Sequence, residues 1–346
     1  MIRRNAIAKH LAFVSFNVVL AAIIVEALLL GLLHFPRLTS TLPRPVRTLV
    51  QQIYRHFNRA LIQFDPQCAQ YDAGLTYTLK PGTCTFENIE FRTEVHVNRL
   101  GVRDDEASLE APEVIVVGDS HAMGWGVEHE DTFGRVLARK SGLRVLDAGI
   151  SSYGTVREMR LLDRLDVSRL RVLVVQYSDN DLLENRTFRQ HGNQLPITSE
   201  ADYDKVRQYY AGQRTYYPGK YVYRLVMKAL RLEPPEPDQT TMEPATPLDE
   251  AALFINALAH AGRTPLDRVQ IVVLEINEQL SPRRPFIVAL DSVRKDGANP
   301  PFVRTLTTLD LSALLTPSHF FVLDDHMNAT GHRVVGEALA DLLRGR

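Results

Sequence analysis

Cysteine is almost missing from this 346-residue chain: Cys68 and Cys84 are the only two, which excludes a disulfide-dense scaffold. An excess of one charge is missing too, with 40 Lys and Arg against 41 Asp and Glu and a formal net charge of -1. No internal repeat is visible, and no His or Cys set has zinc-type spacing on a single helix. What remains is an ordinary globular balance, 45% hydrophobic, 23% charged and 8% aromatic, which excludes a disordered or collagen-like chain. The length suits one large domain or two smaller ones.

The near-neutral average hides a split. Residues 1–64 carry Arg3, Arg4, Lys9, Arg37, Arg44, Arg47, Arg55 and Arg59 against the single acid Glu26, so the remainder is markedly acidic. An acidic body is a poor binder of polyphosphates, and nucleic acid is not expected as a partner. Leu11 to Phe35 is a predominantly apolar run of about 25 residues, long enough at ~1.5 Å per residue to cross a ~30 Å hydrocarbon core. A cleaved signal peptide would have a shorter run and a small-residue cleavage site, so residues 1–36 read as an uncleaved transmembrane anchor, with the membrane engaged through 11–35. Glu26 interrupts that run at a cost of about 2–3 kcal/mol, and is either a tolerated polar residue or a contact to another membrane protein.

Basic residues flank the run on both sides, so charge alone leaves the orientation open. From Val46 to Phe64, Val46, Leu49, Val50, Ile53, Tyr54, Phe57, Ala60, Leu61 and Phe64 recur at helical spacing, which makes 37–64 an amphipathic juxtamembrane segment. It suits either anionic headgroups or the following domain. Cys68 and Cys84 are read as a disulfide or as two buried thiols; a bridge fits an oxidising compartment such as a bacterial periplasm. The chain is therefore expected in a bacterial inner membrane, single-pass, with the part beyond the anchor in the periplasm.

Residues 65–112 read as an irregular, partly β preface. After Pro112 strands and helices alternate. Strands are expected at Val114–Ser120, Arg144–Gly149, Arg171–Asp181, Gln270–Asn277 and His319–Asp325, and helices at Asp131–Ser141, Val156–Asp166 and Asn328–Leu343. That alternation implies a parallel sheet covered on both faces. A departure at about 182–265 holds Tyr203, Tyr209, Tyr210, Tyr216, Tyr217, Tyr221 and Tyr223, then the Pro- and acid-rich 233–247, and is expected to form a lid with a mobile loop. Its tyrosines suit surface packing or stacking on sugar rings.

In open α/β sheets ligands bind beyond the carboxyl ends of the strands. The expected strands place there Gly118-Asp119-Ser120-His121, then Asp147-Ala148-Gly149 followed by Ser151, Ser152, Tyr153 and Gly154, then Ser178-Asp179-Asn180-Asp181, and last Asp324-Asp325-His326. These are the parts of a nucleophilic acyl-transfer site. Ser120 needs a base, which His326 supplies; the imidazole needs a carboxylate, Asp324 or Asp325. The oxyanion needs donors, for which the Ser120 amide, an amide of the 149–154 turn and the Asn180 side chain are placed. Each has a plainer role: Ser120, Asp119 and Asn180 as turn or cap residues, His326 as a surface histidine, His332 as helix-end packing, and His121 as substrate contact or packing.

Taken together, GDSHAMGWGV at 118–127, DAGISSYGT at 147–155, SDND at 178–181 and DDHMNATGH at 324–332 resemble the four blocks of the SGNH (GDSL-type) hydrolases. An anchor followed by NRLGVRD and GDSH also resembles the membrane-tethered SGNH proteins of bacterial polysaccharide O-acetylation and deacetylation. The resemblance implies a flavodoxin-like three-layer α/β/α fold over 113–346. It also implies nucleophile Ser120, base His326, acid Asp324, and oxyanion donors at Ser120, Ser152 and Asn180, with Gly149 as the alternative turn donor. There are two departures. Ser152 stands where the family has glycine, so its amide serves if the turn avoids φ > 0. Leu323 stands where the acid is usual, three residues before the histidine, so Asp324 must act from two before it.

The implied function is a serine esterase or O-acyltransferase for acyl, by preference acetyl, esters of a cell-envelope or extracellular glycan, with no metal and no organic cofactor. The alternatives are a catalytically weak scaffold or glycan-binding component of a polysaccharide assembly complex, and a lipid esterase at the bilayer.

Overall fold

The structure, a computed structural model, describes residues 2–232, 245–277, 285–295 and 299–345, with no side-chain surroundings for 2–8. Residues 233–244, most of the Pro- and acid-rich stretch expected to form a mobile loop, lie outside the described residues. The chain divides into two compact units. One comprises residues 1–59, 211–232 and 322–324; the other comprises the rest.

The smaller unit is helical. Helix α1 spans Ile2–His34, α2 spans Pro36–Ser40 and α3 spans Arg44–Phe57. The amphipathic pattern is real, with Val50, Ile53, Tyr54 and Phe57 buried on α3. The helix is shorter than its periodicity, however: Asn58 leaves the helical region, Ala60 and Leu61 lie outside any helix, and Phe64 ends a short 3-10 turn, Ile62–Phe64. Glu26 finds donors inside this unit, since its carboxylate accepts from the Tyr221 and Val222 amides at 3.1 and 3.0 Å.

The larger unit opens with two hairpins. β1 (Ala69–Asp72) pairs with β2 (Thr76–Leu79), and β3 (Gly82–Asn88) with β4 (Phe91–Val97), all antiparallel. Cys68 and Cys84 are disulfide-bonded with Cα atoms 5.5 Å apart. The α/β core follows: β5 (Val114–Val117), α4 (Ser120–Met123), α5 (Phe133–Ser141), β6 (Val145–Asp147), α6 (Thr155–Leu162), β7 (Val172–Tyr177), α7 (Asp179–Gln190) and α8 (Glu200–Arg214), of which residues 211–214 are counted with the helical unit. After α9 (Lys220–Ala229) of the helical unit come α10 (Pro247–His260), β8 (Gln270–Glu275), α11 (Phe286–Val293), β9 (Thr307–Leu309) and α12 (Ala329–Arg344).

The sheet is parallel throughout, in the order β6-β5-β7-β8-β9, which is the flavodoxin-like 2-1-3-4-5 arrangement. Its strands are apolar on both faces because both are covered. Ile115, Val117, Leu173, Val175, Ile271 and Val273 pack with α6, α10 and α11 residues such as Met159, Phe254 and Phe286. The alternate residues Val114, Val116, Val172, Val174, Val272 and Leu274 pack with Phe133 and Leu137 of α5 and Val335 and Leu339 of α12. The three-layer α/β/α fold is as expected.

Two expectations need correction. The fifth strand is Thr307–Leu309, not His319–Asp325. Residues 319–328 instead close on themselves: Phe320 bridges Met327, the Asn328 amide donates to the His319 carbonyl, and the Phe321 amide to that of His326. The departure after β7 is also helical at both ends, and α7 and α10 pack on each other and on α6 as ordinary parts of the outer layer.

His332 is buried in α12, and its Nδ1 accepts from the Phe133 amide at 3.2 Å. Burial pushes its pKa down from 6.5 to about 3, so folding favours the neutral ring. Its contribution is complete above pH 6.5 and disappears as pH falls through 3. Denaturant unfolding of the wild type minus that of His332→Gln, followed against pH, is therefore expected to rise by up to about 1.4 kcal/mol per pH unit between those limits. A flat difference contradicts the assignment.

Candidate active site

Strand β5 delivers Ser120 to the carboxyl edge of the sheet through Gly118 and Asp119. A Cβ on Gly118 would stand 2.6 Å from Gln176 Oε1, so only glycine lets the chain pass there. Asp119 caps the short helix α4, its Oδ1 accepting from the His121 amide at 2.8 Å. Its Oδ2 accepts from Ser178 Oγ at 2.5 Å, and burial raises its pKa despite that bond. Gln176, a fully buried polar residue inside apolar β7, holds the same turn: its Oε1 accepts from the amides of Asp119 (3.0 Å) and Ala122 (3.2 Å). Replacing it with leucine strands two buried amides, at about 1–3 kcal/mol each. Gln176→Leu is thus expected to lose roughly 2–5 kcal/mol in denaturant unfolding, and a loss under ~1 kcal/mol contradicts this role.

Arg103 secures the far end of α4. Its guanidinium donates to the carbonyls of Met123, Gly124 and Val127, and burial lowers its pKa to about 10.

His326 meets Ser120 from the closed 319–328 loop. Its Nε2 lies 2.8 Å from Ser120 Oγ, and both residues are buried. The ring stacks on Trp125, centroids 4.4 Å apart and 12° from parallel, and His121 lies beside it at 4.9 Å. Asn328 fixes the loop's exit, capping α12 through the Thr330 and Gly331 amides while its Nδ2 donates to Ser318 and Phe320. Asp325 Oδ1 stands 3.6 Å from His326 Nδ1, longer than a hydrogen bond. Asp324 is fully buried and belongs to the helical unit, where Tyr54 Oη donates to its Oδ2 at 2.8 Å.

The second and third blocks meet as well. Asn180 Nδ2 donates to the Tyr153 carbonyl at 2.5 Å, and Ser178 Oγ also contacts Asn180 Oδ1. Ser152 does not avoid the left-handed region: its φ is +60°, the conformation glycine would have supplied. The turn is held there from outside. Gln63 Nε2 donates to Ser152 Oγ at 3.0 Å and Gln63 Oε1 accepts from Ser151 Oγ at 3.0 Å. Tyr77 Oη donates to the Ser151 carbonyl and Arg157 to that of Ser152. Gly149 is not a turn donor of the expected kind. Its amide donates to Asp147 Oδ1 at 3.2 Å, and a Cβ there would lie 2.3 Å from the Met123 amide nitrogen, so it is a packing position under α4.

Hydrogen bonds thus join the first block to the fourth (Ser120 to His326), the first to the third (Asp119 to Ser178) and the second to the third (Tyr153 to Asn180). Sequence inspection missed Gln176, Gln63, Arg103 and Trp125. A glutamine inside the run VLVVQY and the lone tryptophan of the chain were the signals available for two of them.

No protein-family model matches this chain, and no curated protein does. Among solved structures it is similar to a protein provisionally described as lipolytic, of the G-D-S-L family, from Desulfitobacterium hafniense DCB-2 (12% identity, 66% of this chain and 98% of that one, TM-score 0.36). It is similar to the Clostridium thermocellum family 3 carbohydrate esterase (12%, 68% and 98%, TM-score 0.35). A possible lipase from Chitinophaga pinensis DSM 2588 is comparable (12%, 67% and 97%, TM-score 0.34).

Proposed function

We propose that this chain is a membrane-tethered SGNH-type serine esterase or O-acyltransferase acting on acyl, by preference acetyl, esters of a cell-envelope or extracellular glycan. The observation that carries it is the 2.8 Å approach of Ser120 Oγ to His326 Nε2 at the carboxyl edge of a parallel sheet. Ser120 Oγ attacks the acyl carbonyl while His326 Nε2 takes the hydroxyl proton. The tetrahedral intermediate collapses, the C–O bond to the alcohol breaks, and His326 returns the proton to the departing oxygen. Water or a sugar hydroxyl then attacks the acyl-serine by the same route in reverse. The Ser120 amide and Asn180 Nδ2 are assigned to the oxyanion, and Asp324 to the orientation of His326; the Ser152 amide is assigned with them because, although the turn does not avoid φ > 0 as expected, its φ of +60° gives the turn the shape that glycine would have given it. No metal or cofactor enters the steps as written. The disulfide and the apolar helix α1 support a single-pass anchor in a bacterial inner membrane with the larger unit in the periplasm.

The full chain in detergent, assayed with chromogenic acetyl and long-chain esters beside Ser120→Ala, tests this. Ser120-dependent release that favours acetyl supports the proposal; a long-chain preference points to a lipid esterase; no Ser120-dependent release overturns it. A glycan-binding scaffold with weak catalysis is favoured by one observation, the engagement of Asn180 Nδ2 by the Tyr153 carbonyl. Glycan binding without turnover, unchanged in Ser120→Ala, would identify it.

A further inference from the structure

The surroundings of α1 change at Glu26. From Lys9 to Val25 every residue is exposed except half-buried Ala22. Then Glu26, Leu29 and Leu33, at i, i+3 and i+7, are buried. Helix α3 packs beside α1 in this unit and makes polar contacts of a kind that lipid does not offer. Its Gln51 Nε2 donates to the Val322 carbonyl at 2.7 Å and its Tyr54 Oη to the Asp324 carboxylate at 2.8 Å, groups that belong to protein and water.

Glu26 ties a second helix to that level. Its carboxylate accepts from the Tyr221 and Val222 amides, in the first turn of α9, where unpaired N–H groups and the helix dipole favour an anion. From there α9 exposes Tyr223 and Val226 at i and i+3 and its C-cap Leu230 follows exposed at i+7, with Tyr216 and Tyr217 exposed just before the helix and Leu232 just after. Lys228 and Arg231 are exposed beside that stripe. An apolar stripe edged by tyrosines and cations is what a membrane interface takes.

We propose that the hydrocarbon boundary falls at Glu26, not Phe35, and that α9 lies in the bilayer interface, its Tyr223-Val226-Leu230 stripe against lipid and Lys228 and Arg231 at headgroup phosphates. The proposal rests on the tether assigned above. It leaves about 17 residues, ~25 Å, to cross the hydrocarbon, a short span met by Lys9 reaching outward or by local thinning. It also moves Glu26 from mid-membrane, where a carboxylate is costly, to a helix terminus at the edge.

The two cysteines are paired, so single cysteines can be introduced into the full chain and labelled with a polarity-sensitive fluorophore. The sites are Val18→Cys, Leu28→Cys, Tyr223→Cys, Leu230→Cys and, in the larger unit, Ser168→Cys. The protein is reconstituted in vesicles of phosphatidylcholine and phosphatidylglycerol holding lipids that quench either near the headgroup or near the chain end. Chain-end quenching is expected at Val18, headgroup-level quenching at Leu28, Tyr223 and Leu230, and none at Ser168. Tyr223 and Leu230 as bright as Ser168, with Val18 quenched, overturn the interfacial helix while sparing the tether. Chain-end quenching at Leu28 overturns the boundary. An unquenched Val18 removes the tether and this proposal with it.

Discussion

Ser120→Ala is expected to lower kcat for a chromogenic acetyl ester by on the order of 10⁴-fold or more in the full chain, with the fold intact by circular dichroism. Alanine deletes the hydroxyl proposed as nucleophile and leaves its neighbours in place. The turn is held by main-chain bonds to Gln176 and Asp119, none of which uses the Ser120 hydroxyl. His326→Ala is expected to cost about as much, because a serine without its base is a weak nucleophile. The double variant is expected to be no worse than either single one, since two residues acting on one proton fail as a unit. Retention of more than about a tenth of kcat in Ser120→Ala, or additive losses in the double variant, contradicts the assignment.

The second large effect separates two adjacent acids. Asp324→Asn is expected to lower kcat by roughly 10²- to 10⁴-fold, and Asp325→Asn by less than about 10-fold. Tyr54 donates to one oxygen of the fully buried Asp324, which fixes that carboxylate, and the proposed function assigns Asp324, not Asp325, to the imidazole. Asp325 Oδ1 stands 3.6 Å from Nδ1, beyond hydrogen-bond length for accepting the ring N–H. The asparagine amide matches the carboxylate in shape and removes only its charge and half its accepting capacity. Equal losses in the two variants, or a greater loss in Asp325→Asn, transfer the role to Asp325.

The four blocks were legible because each ends a strand or opens a loop at one sheet edge, where small and polar residues stand out against apolar runs. The core strands were legible for the same reason, since VIVV and VLVV need cover on both faces. HFFVLDD misled because a short apolar run has no periodicity to distinguish a strand from a packed loop. The three-residue strand at Thr307–Leu309 offers almost no pattern of its own and exists through its pairing with β8. Helix α3 stops at Phe57 although its apolar spacing continues to Phe64, because Asn58 leaves the helical region and the chain then forms a separate 3-10 turn at Ile62–Phe64.

Gln176 and Gln63 were illegible for a different reason. Each acts on backbone or side chains 54 to 89 positions away, and only the folded chain brings donor and acceptor together. The left-handed Ser152 belongs here too: its conformation is maintained by Gln63, Tyr77 and Arg157, which no local rule connects to it.

The most direct test of the central claim is mass spectrometry of the full chain after reaction with a serine-directed phosphonate. Stoichiometric phosphonylation of the peptide containing Ser120, abolished by His326→Ala and unaffected by Ser178→Ala at equal folding, is the expected result. A label on any other serine, or labelling of Ser120 that persists undiminished without His326, would contradict it.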